Sequence, residues 1–237
     1  DGTGRLLRVG GKVVKNAAGF DLPKFFVGSL GRFGVLAEIT FKVFPRPAAA
    51  LTLRLRSDGP AGLASILTGA ACARWELDAL EAAPEDGAVY ARLAGPSAAI
   101  DKLAVEILAR WPGEILTAPA AENAWRMAGE FGWAHPGGVL VKAVLTPARL
   151  PELAGLLHAL PEARSWVGHG GNVAYLSLPS ASAAPALGEQ LCRAGFAGLT
   201  LRGAAPLWPA GRTQPAIATA VKAALDPRNR FPSLDES

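Results

Sequence analysis

The strongest constraint on this chain is an order of short strands and helices that runs once from Leu51 to Ala118 and again from Val139 to Gly203. In the first pass LTLRLR (51–56) alternates apolar and basic residues with the period of a half-buried strand, and Gly62–Ala73 repeats apolar residues at helical spacing. ARWELDALEA (73–82) and AVYARLAG (88–95) read as a strand pair around the turn Pro84-Glu85-Asp86-Gly87. Ser97–Trp111 reads as a helix with Ser97 as its N-cap, and EILTA (114–118) as a short closing strand. The second pass has VLVKAVL (139–145), a helix over Pro147–Leu160, the pair RSWVGH (164–169) and VAYLSL (173–178), a helix over Ala183–Ala194, and LTLRG (199–203). Each pass is a β-α-β-β-α-β unit, so the fold class is α+β, with an antiparallel sheet built from two ferredoxin-like halves. The offset is about 88 residues, from Leu51 to Val139, and both a duplication and a chance recurrence of short units account for it. The helix containing WRMAGEF (125–131) connects the halves.

The flanks have a different texture. Residues 1–47 are punctuated by glycine and contain the strand-like RLLRV (5–9), a helical stretch from Leu22 to Leu30, and VLAEITFKVF (35–44), whose β-branched and aromatic content reads as a strand. Pro45 and Pro47 cannot donate to a ladder and mark a boundary. After 203 the chain is irregular until a helix over Ala216–Leu225, which Asp226-Pro227 must end. Three segments are expected: 1–47, 50–203, and 204–237, the last returning to the first. The chain begins at Asp1, close to a strand-like stretch, so it is expected to start inside a domain.

Composition excludes several classes of function. Fifty per cent of residues are apolar, which is enough for a core, and 24 basic residues against 20 acidic leave a charge of only +4. The basic residues are scattered rather than gathered into a phosphate-tracking run, which argues against a nucleic-acid partner. No apolar run is long enough for a membrane span and the first residues have no signal-peptide zones, so a cytoplasmic location is expected. Cys72 and Cys192 lie in apolar stretches far apart, which predicts buried free thiols and no metal site.

The densest segment is Gly10–Pro47, with glycines at 28, 31 and 34. Glycine permits positive φ and close backbone approach, so Gly28-Ser29-Leu30-Gly31 and Gly34-Val35 can offer N–H groups to a phosphate or a flavin edge. A tight helix-to-strand turn accounts for the same spacing. A Rossmann fingerprint does not fit, because it needs a strand before its glycines and a helix after them.

Lys15, Asn16, Gly19, Asp21, Leu22, Gly28, Ser29, Gly31, Gly34, Val35 and Glu38 stand where the FAD-linked oxidases of the vanillyl-alcohol-oxidase type, with their PCMH-type FAD-binding domain, have their own pattern. The segment resembles that family, and within it the small glycolate oxidase subunits more than the D-lactate dehydrogenases, which usually have glutamate at the position of Leu30. Phe20 and Arg32 depart from the pattern, standing for tyrosine and threonine. The tail Arg228-Asn229-Arg230-Phe231-Pro232 departs too, since the family usually has Asn-Pro-Gly after its closing helix.

The resemblance implies that 1–47 and the final helix form the second lobe of an FAD domain and that residues from about 50 to 203 form a cap. FAD is the implied cofactor, bound by Lys15, Asn16, Gly19, Asp21, Gly28, Ser29, Gly31, Gly34 and Val35, and it accepts a hydride from a small 2-hydroxy acid such as glycolate. The family's pyrophosphate-binding loop is absent from this sequence and is expected upstream of Asp1. Implied partners are a larger flavin subunit and an iron–sulfur subunit, which can hold the protein at the inner membrane. A flavin-free interaction subunit and a D-lactate dehydrogenase are the alternatives. His169, in VGHGGN (167–172), is the candidate catalytic base, because imidazole titrates near neutral pH. A hydrogen-bonded turn histidine is its structural alternative. His135 and His158 read as structural, and Trp125, Trp133, Trp166 and Trp208 as core or as walls of an aromatic pocket.

Overall fold

The computed structural model describes residues 1–10, 22–160, 162–211 and 216–234. The chain divides into two compact units, one of Asp1–Pro45 with Arg212–Ser237 and one of Arg46–Gly211. In the first unit the described part of 1–45 contains one short helix, α1 (Leu22–Phe26), and no strand. The strands expected at RLLRV and VLAEITFKVF are therefore absent. Alternation predicts that a segment suits a sheet, but the strand forms only when an edge pairs with it, and no described residue does so here. Val35, Phe41 and Val43 stand 75%, 78% and 81% exposed.

The second unit carries β1 (Ala49–Arg56), α2 (Gly59–Ala71), β2 (Ala79–Ala83), β3 (Ala88–Gly95), α3 (Ser97–Arg110) and β4 (Gly113–Ile115). The helix α4 (Ala118–Gly129) then leads to β5 (Val139–Val144), α5 (Leu150–Leu157), β6 (Arg164–Gly168), β7 (Val173–Leu178), α6 (Ala184–Arg193) and β8 (Gly198–Arg202). The two β-α-β-β-α-β passes are thus present. All eight strands form one antiparallel sheet in the order β4-β1-β3-β2-β6-β7-β5-β8. Each half has its first strand between its fourth and third, and the halves meet edge to edge through β2 and β6, where Ala82 pairs with Val167.

Local signals set the element ends. Pro60 lies in the first turn of α2 and starts that helix at Gly59, three residues before the apolar periodicity begins. The N-cap position of α3 is Pro96 and carries no side-chain hydrogen bond, so Ser97 is the first helical residue and not the cap. Residues 204–211 stay with the sheet unit: Thr200 donates its N–H to Leu207 O (2.8 Å) and its hydroxyl to Pro206 O (2.6 Å).

Alternation along the strands puts Leu53, Leu55, Val89, Ala91, Leu93, Val141, Val167, Ala174 and Leu176 on one face. Helical Leu63, Leu67, Ile107, Leu150, Leu153, Leu187 and Leu191 pack with them in a single core cluster that crosses the joint between the halves. Glu85, in the turn between β2 and β3, also bridges the joint, its Oε1 accepting from Ser165 N–H (2.7 Å) and Ser165 Oγ (2.8 Å). Ser165 is 3% exposed, so Glu85→Ala strands two buried donors. That substitution is expected to lower unfolding stability by about 1–3 kcal/mol, measurable by urea denaturation.

The two cysteines differ from expectation. Both Cys72 and Cys192 are exposed free thiols. Cys72 caps the C-terminus of α2, and Cys192 lies on α6 next to its buried stripe of Ala184, Leu187, Gly188 and Leu191, not in it. No described helix is long and apolar enough to cross a membrane.

Candidate functional site

The glycine turn after α1 has left-handed backbone at Gly28 (φ 76°), Leu30 (φ 54°) and Gly31 (φ 73°). Two of its amides are used internally, with Ser29 N–H donating to Phe26 O (3.2 Å) and Arg32 N–H to Ser29 O (3.1 Å). Gly28, Leu30 and Gly31 are exposed, and a Cβ built on either glycine would meet nothing within 4 Å, so the backbone there is open to a ligand. Gly34 is buried under the Phe26 ring, 3.2 Å from where its Cβ would be, and Val35 is exposed. This open surface fits close approach by a phosphate or a flavin edge. Lys15, Asn16, Gly19 and Asp21 lie outside the described residues.

The underside of the turn is fixed by α7 (Ala216–Leu225). Lys222 is 7% exposed and its Nζ donates to Arg32 O (2.8 Å), Asp226 Oδ2 (2.6 Å), Phe231 O (3.0 Å) and Pro232 O (3.0 Å). Asp226, fully buried, accepts from the N–H groups of Arg230 (2.8 Å) and Phe231 (2.9 Å). Burial pushes the Asp226 carboxyl up, but the Lys222 ammonium and the two backbone N–H donors outweigh it and hold its pKa at about 2. Arg32 is buried and donates from Nε to Ser233 O (2.8 Å). Gly2 completes the knot, since its N–H donates to Leu225 O (2.7 Å) and a Cβ there would fall 2.2 Å from Asp226 Oδ1.

In the sheet unit, the face opposite the core carries Thr52 and Arg54 from β1, Glu81, Tyr90 and Arg92 from β2 and β3, and Trp166 and Tyr175 from β6 and β7. Trp166 stacks on Tyr90 (5.8 Å between ring centroids, 9° between planes) and on Trp133 (6.2 Å, 21°). Trp166 Nε1–H donates to Glu81 Oε2. Desolvation raises the Glu81 pKa, opposed by that hydrogen bond and by the charges of His169 and Arg92. Trp133, Trp166, Tyr90 and Arg54 line a cleft of about 330 Å³ with residues of α4. Trp125 stands beside it, donating Nε1–H to Thr52 Oγ1 (2.8 Å), while Trp208 is not among the lining residues.

His169 occupies a 3₁₀ turn, His169–Gly171, between β6 and β7, with φ 56° and its ring 6.4 Å from that of Tyr175. It is exposed and outside the cleft. Its carbonyl accepts from Asn172 Nδ2 (2.9 Å). His135 pairs its Nε2 with Glu162 O (2.7 Å), and His158 caps α5. Among the described residues no three histidine, cysteine or acidic side chains gather to hold a metal. Arg54, Glu81 and Tyr90 were not foreseen as a group. The alternation of LTLRLR and AVYARLAG marks them as facing away from the core, but only the strand order brings them beside Trp166.

No family model matches the chain. Among known proteins it is 41% identical over 110 residues to the glycolate oxidase subunit GlcE of Escherichia coli (strain K12), a match covering 45% of this chain and 29% of that protein. It is 44% identical over 50 residues to the glycolate oxidase subunit GlcD of Bacillus subtilis (strain 168), covering 21% of this chain and 11% of that one. A D-lactate dehydrogenase of Anaerostipes hadrus is 35% identical over 51 residues, covering 22% of this chain and 11% of the enzyme. The chain thus matches under a third of the length of each of these relatives. By these matches the chain is similar, over stretches of 50 to 110 residues, to glycolate oxidase subunits.

Proposed function

We propose that this chain is part of the FAD-binding subunit of a glycolate oxidase, taking a small 2-hydroxy acid to its 2-oxo acid. The observation that carries the reading is the similarity to GlcE, the longest of the matches described. The open Gly28–Gly31 backbone supports it independently, because a rigid turn without Cβ atoms in the way suits a flavin phosphate or ring edge. Bound FAD would supply a hydride acceptor for the hydroxyl-bearing carbon. Gly28, Ser29, Gly31, Gly34 and Val35 would hold it, with Lys15, Asn16, Gly19 and Asp21 from the preceding segment. Asp1–Pro45 and α7 would then be one lobe of a PCMH-type domain and the eight-stranded sheet its cap. His169 is the group proposed to take the hydroxyl proton, as an exposed imidazole whose charge acts on the Glu81 carboxyl.

Partners in this reading are the larger flavin subunit and an iron–sulfur subunit, which would receive the electrons and keep the assembly at the inner membrane. The similarity to D-lactate dehydrogenase supports the 2-hydroxy-acid class as a whole and makes D-lactate the second substrate to try. The test is the visible spectrum of the chain after incubation with FAD and desalting. Retained flavin bands are expected, and a colourless protein would remove FAD holding from the functions of this chain.

A further inference from the structure

The cleft on the open face of the sheet holds two polar hydrogens that the fold leaves unused. Among the described residues, Arg54 Nε and Trp133 Nε1 are buried with no hydrogen-bond partner. Both residues line the same cleft. A buried donor without an acceptor is costly, and the cost is relieved when an acceptor enters from outside. Asp86 also lines the cleft, but no ion pair joins it to Arg54 among the described residues. The guanidinium is therefore a half-buried cation awaiting an anion, and its planar fork matches a carboxylate.

Apart from Asn123, the rest of the cleft is lined by apolar and aromatic side chains. Tyr90, Trp166 and Trp133 stack into one aromatic wall. Facing it are Leu116 and the Ala120, Ala124 and Met127 stripe of α4, a helix with no fully buried residue of its own. That helix is fixed at its centre, where Trp125 bonds Thr52 Oγ1 and lies under the Arg92 guanidinium (5.2 Å). The volume of about 330 Å³ is at the small end of the roughly 300–1,000 Å³ usual for ligand pockets. Glycolate is too small to fill it, and it has no apolar body to lie on the wall.

We infer that this cleft binds a monocarboxylate with a flat apolar body, the carboxylate on Arg54 and Trp133 Nε1–H and the body between the aromatic wall and α4. The site lies within the sheet unit and needs no flavin, so it stands or falls separately from the FAD reading.

Phenylacetate is a suitable probe, titrated into the flavin-free chain while tryptophan fluorescence and the indole N–H resonances are followed. Saturable quenching is expected, with a shift of the Trp133 indole signal, assigned by its loss in Trp133→Phe. Phenylacetamide, which keeps the ring without the charge, and acetate, which keeps the charge without the ring, should each bind at least roughly tenfold more weakly. Arg54→Met should weaken phenylacetate by a similar factor, with an unchanged circular dichroism spectrum. If Arg54→Met fails to fold, Trp133→Phe carries the test, because it keeps the ring and removes only the donor. Equal binding of the acid and the amide, an unmoved Trp133 signal, or undiminished binding by Trp133→Phe would each overturn the inference.

Discussion

Replacing Lys222 with methionine is expected to release the glycine turn and the C-terminal wrap together, at a cost of about 3–5 kcal/mol. The ammonium joins Arg32 O, Phe231 O and Pro232 O to one buried point, and methionine keeps most of the apolar stem but none of the donors. The carboxylate of Asp226 is left buried without its counter-charge. Hydrogen exchange reports this directly. The amides of Arg230 and Phe231, which donate to Asp226, should lose protection, while the strand amides of the sheet unit keep theirs. Unchanged protection at 230 and 231 would mean that Lys222 is dispensable to the turn. Acid should act on the same point. The folded pKa of Asp226, about 2, lies below its ordinary 3.8, so its contribution is complete above about pH 4 and is lost as pH falls through about 2. Asp226→Asn should remove that stretch of acid sensitivity.

Placing a carboxylate at the joint of the two sheet halves should be still more damaging. Val167 is fully buried, pairs with Ala82 across the β2–β6 joint and belongs to the core shared by both halves. Val167→Asp buries a charge with no cation at hand and is expected to cost at least about 4 kcal/mol, whereas Val167→Ala should cost about 1–3. Because one core takes residues from six of the eight strands, three in each half, the loss should appear as a single cooperative transition in urea, with no surviving half. A second transition persisting at the original midpoint would show two independent ferredoxin-like units.

Much of the sheet was legible because alternation and turn chemistry are local. LTLRLR, VLVKAVL and VAYLSL all became strands within about two residues of their expected ends, and α7 matched its expected span. The failures have a common cause. RLLRV and VLAEITFKVF have the composition of strands, yet a pattern states which face a segment prefers and not whether an edge is there to pair with it. Cys72 and Cys192 sit among apolar neighbours in sequence, but helical rotation turns both outward. Lys222 reads as a surface residue by type, and its burial depends on a tail that wraps back ten residues later to surround it. The Arg54–Trp133 cleft needed the strand order, since nothing local links β1 to the segment after α4.

That the glycine turn is a flavin-binding surface is tested most directly by FAD fluorescence anisotropy with the chain and with Gly31→Val. Gly31 is exposed at φ 73°, so valine puts a branched side chain over the open backbone in a conformation that it resists. A saturable rise in anisotropy is expected with the parent chain and at least a roughly tenfold weaker response from the variant, with the sheet unit melting unchanged. A rise of equal midpoint in both proteins, or none in either, would contradict it.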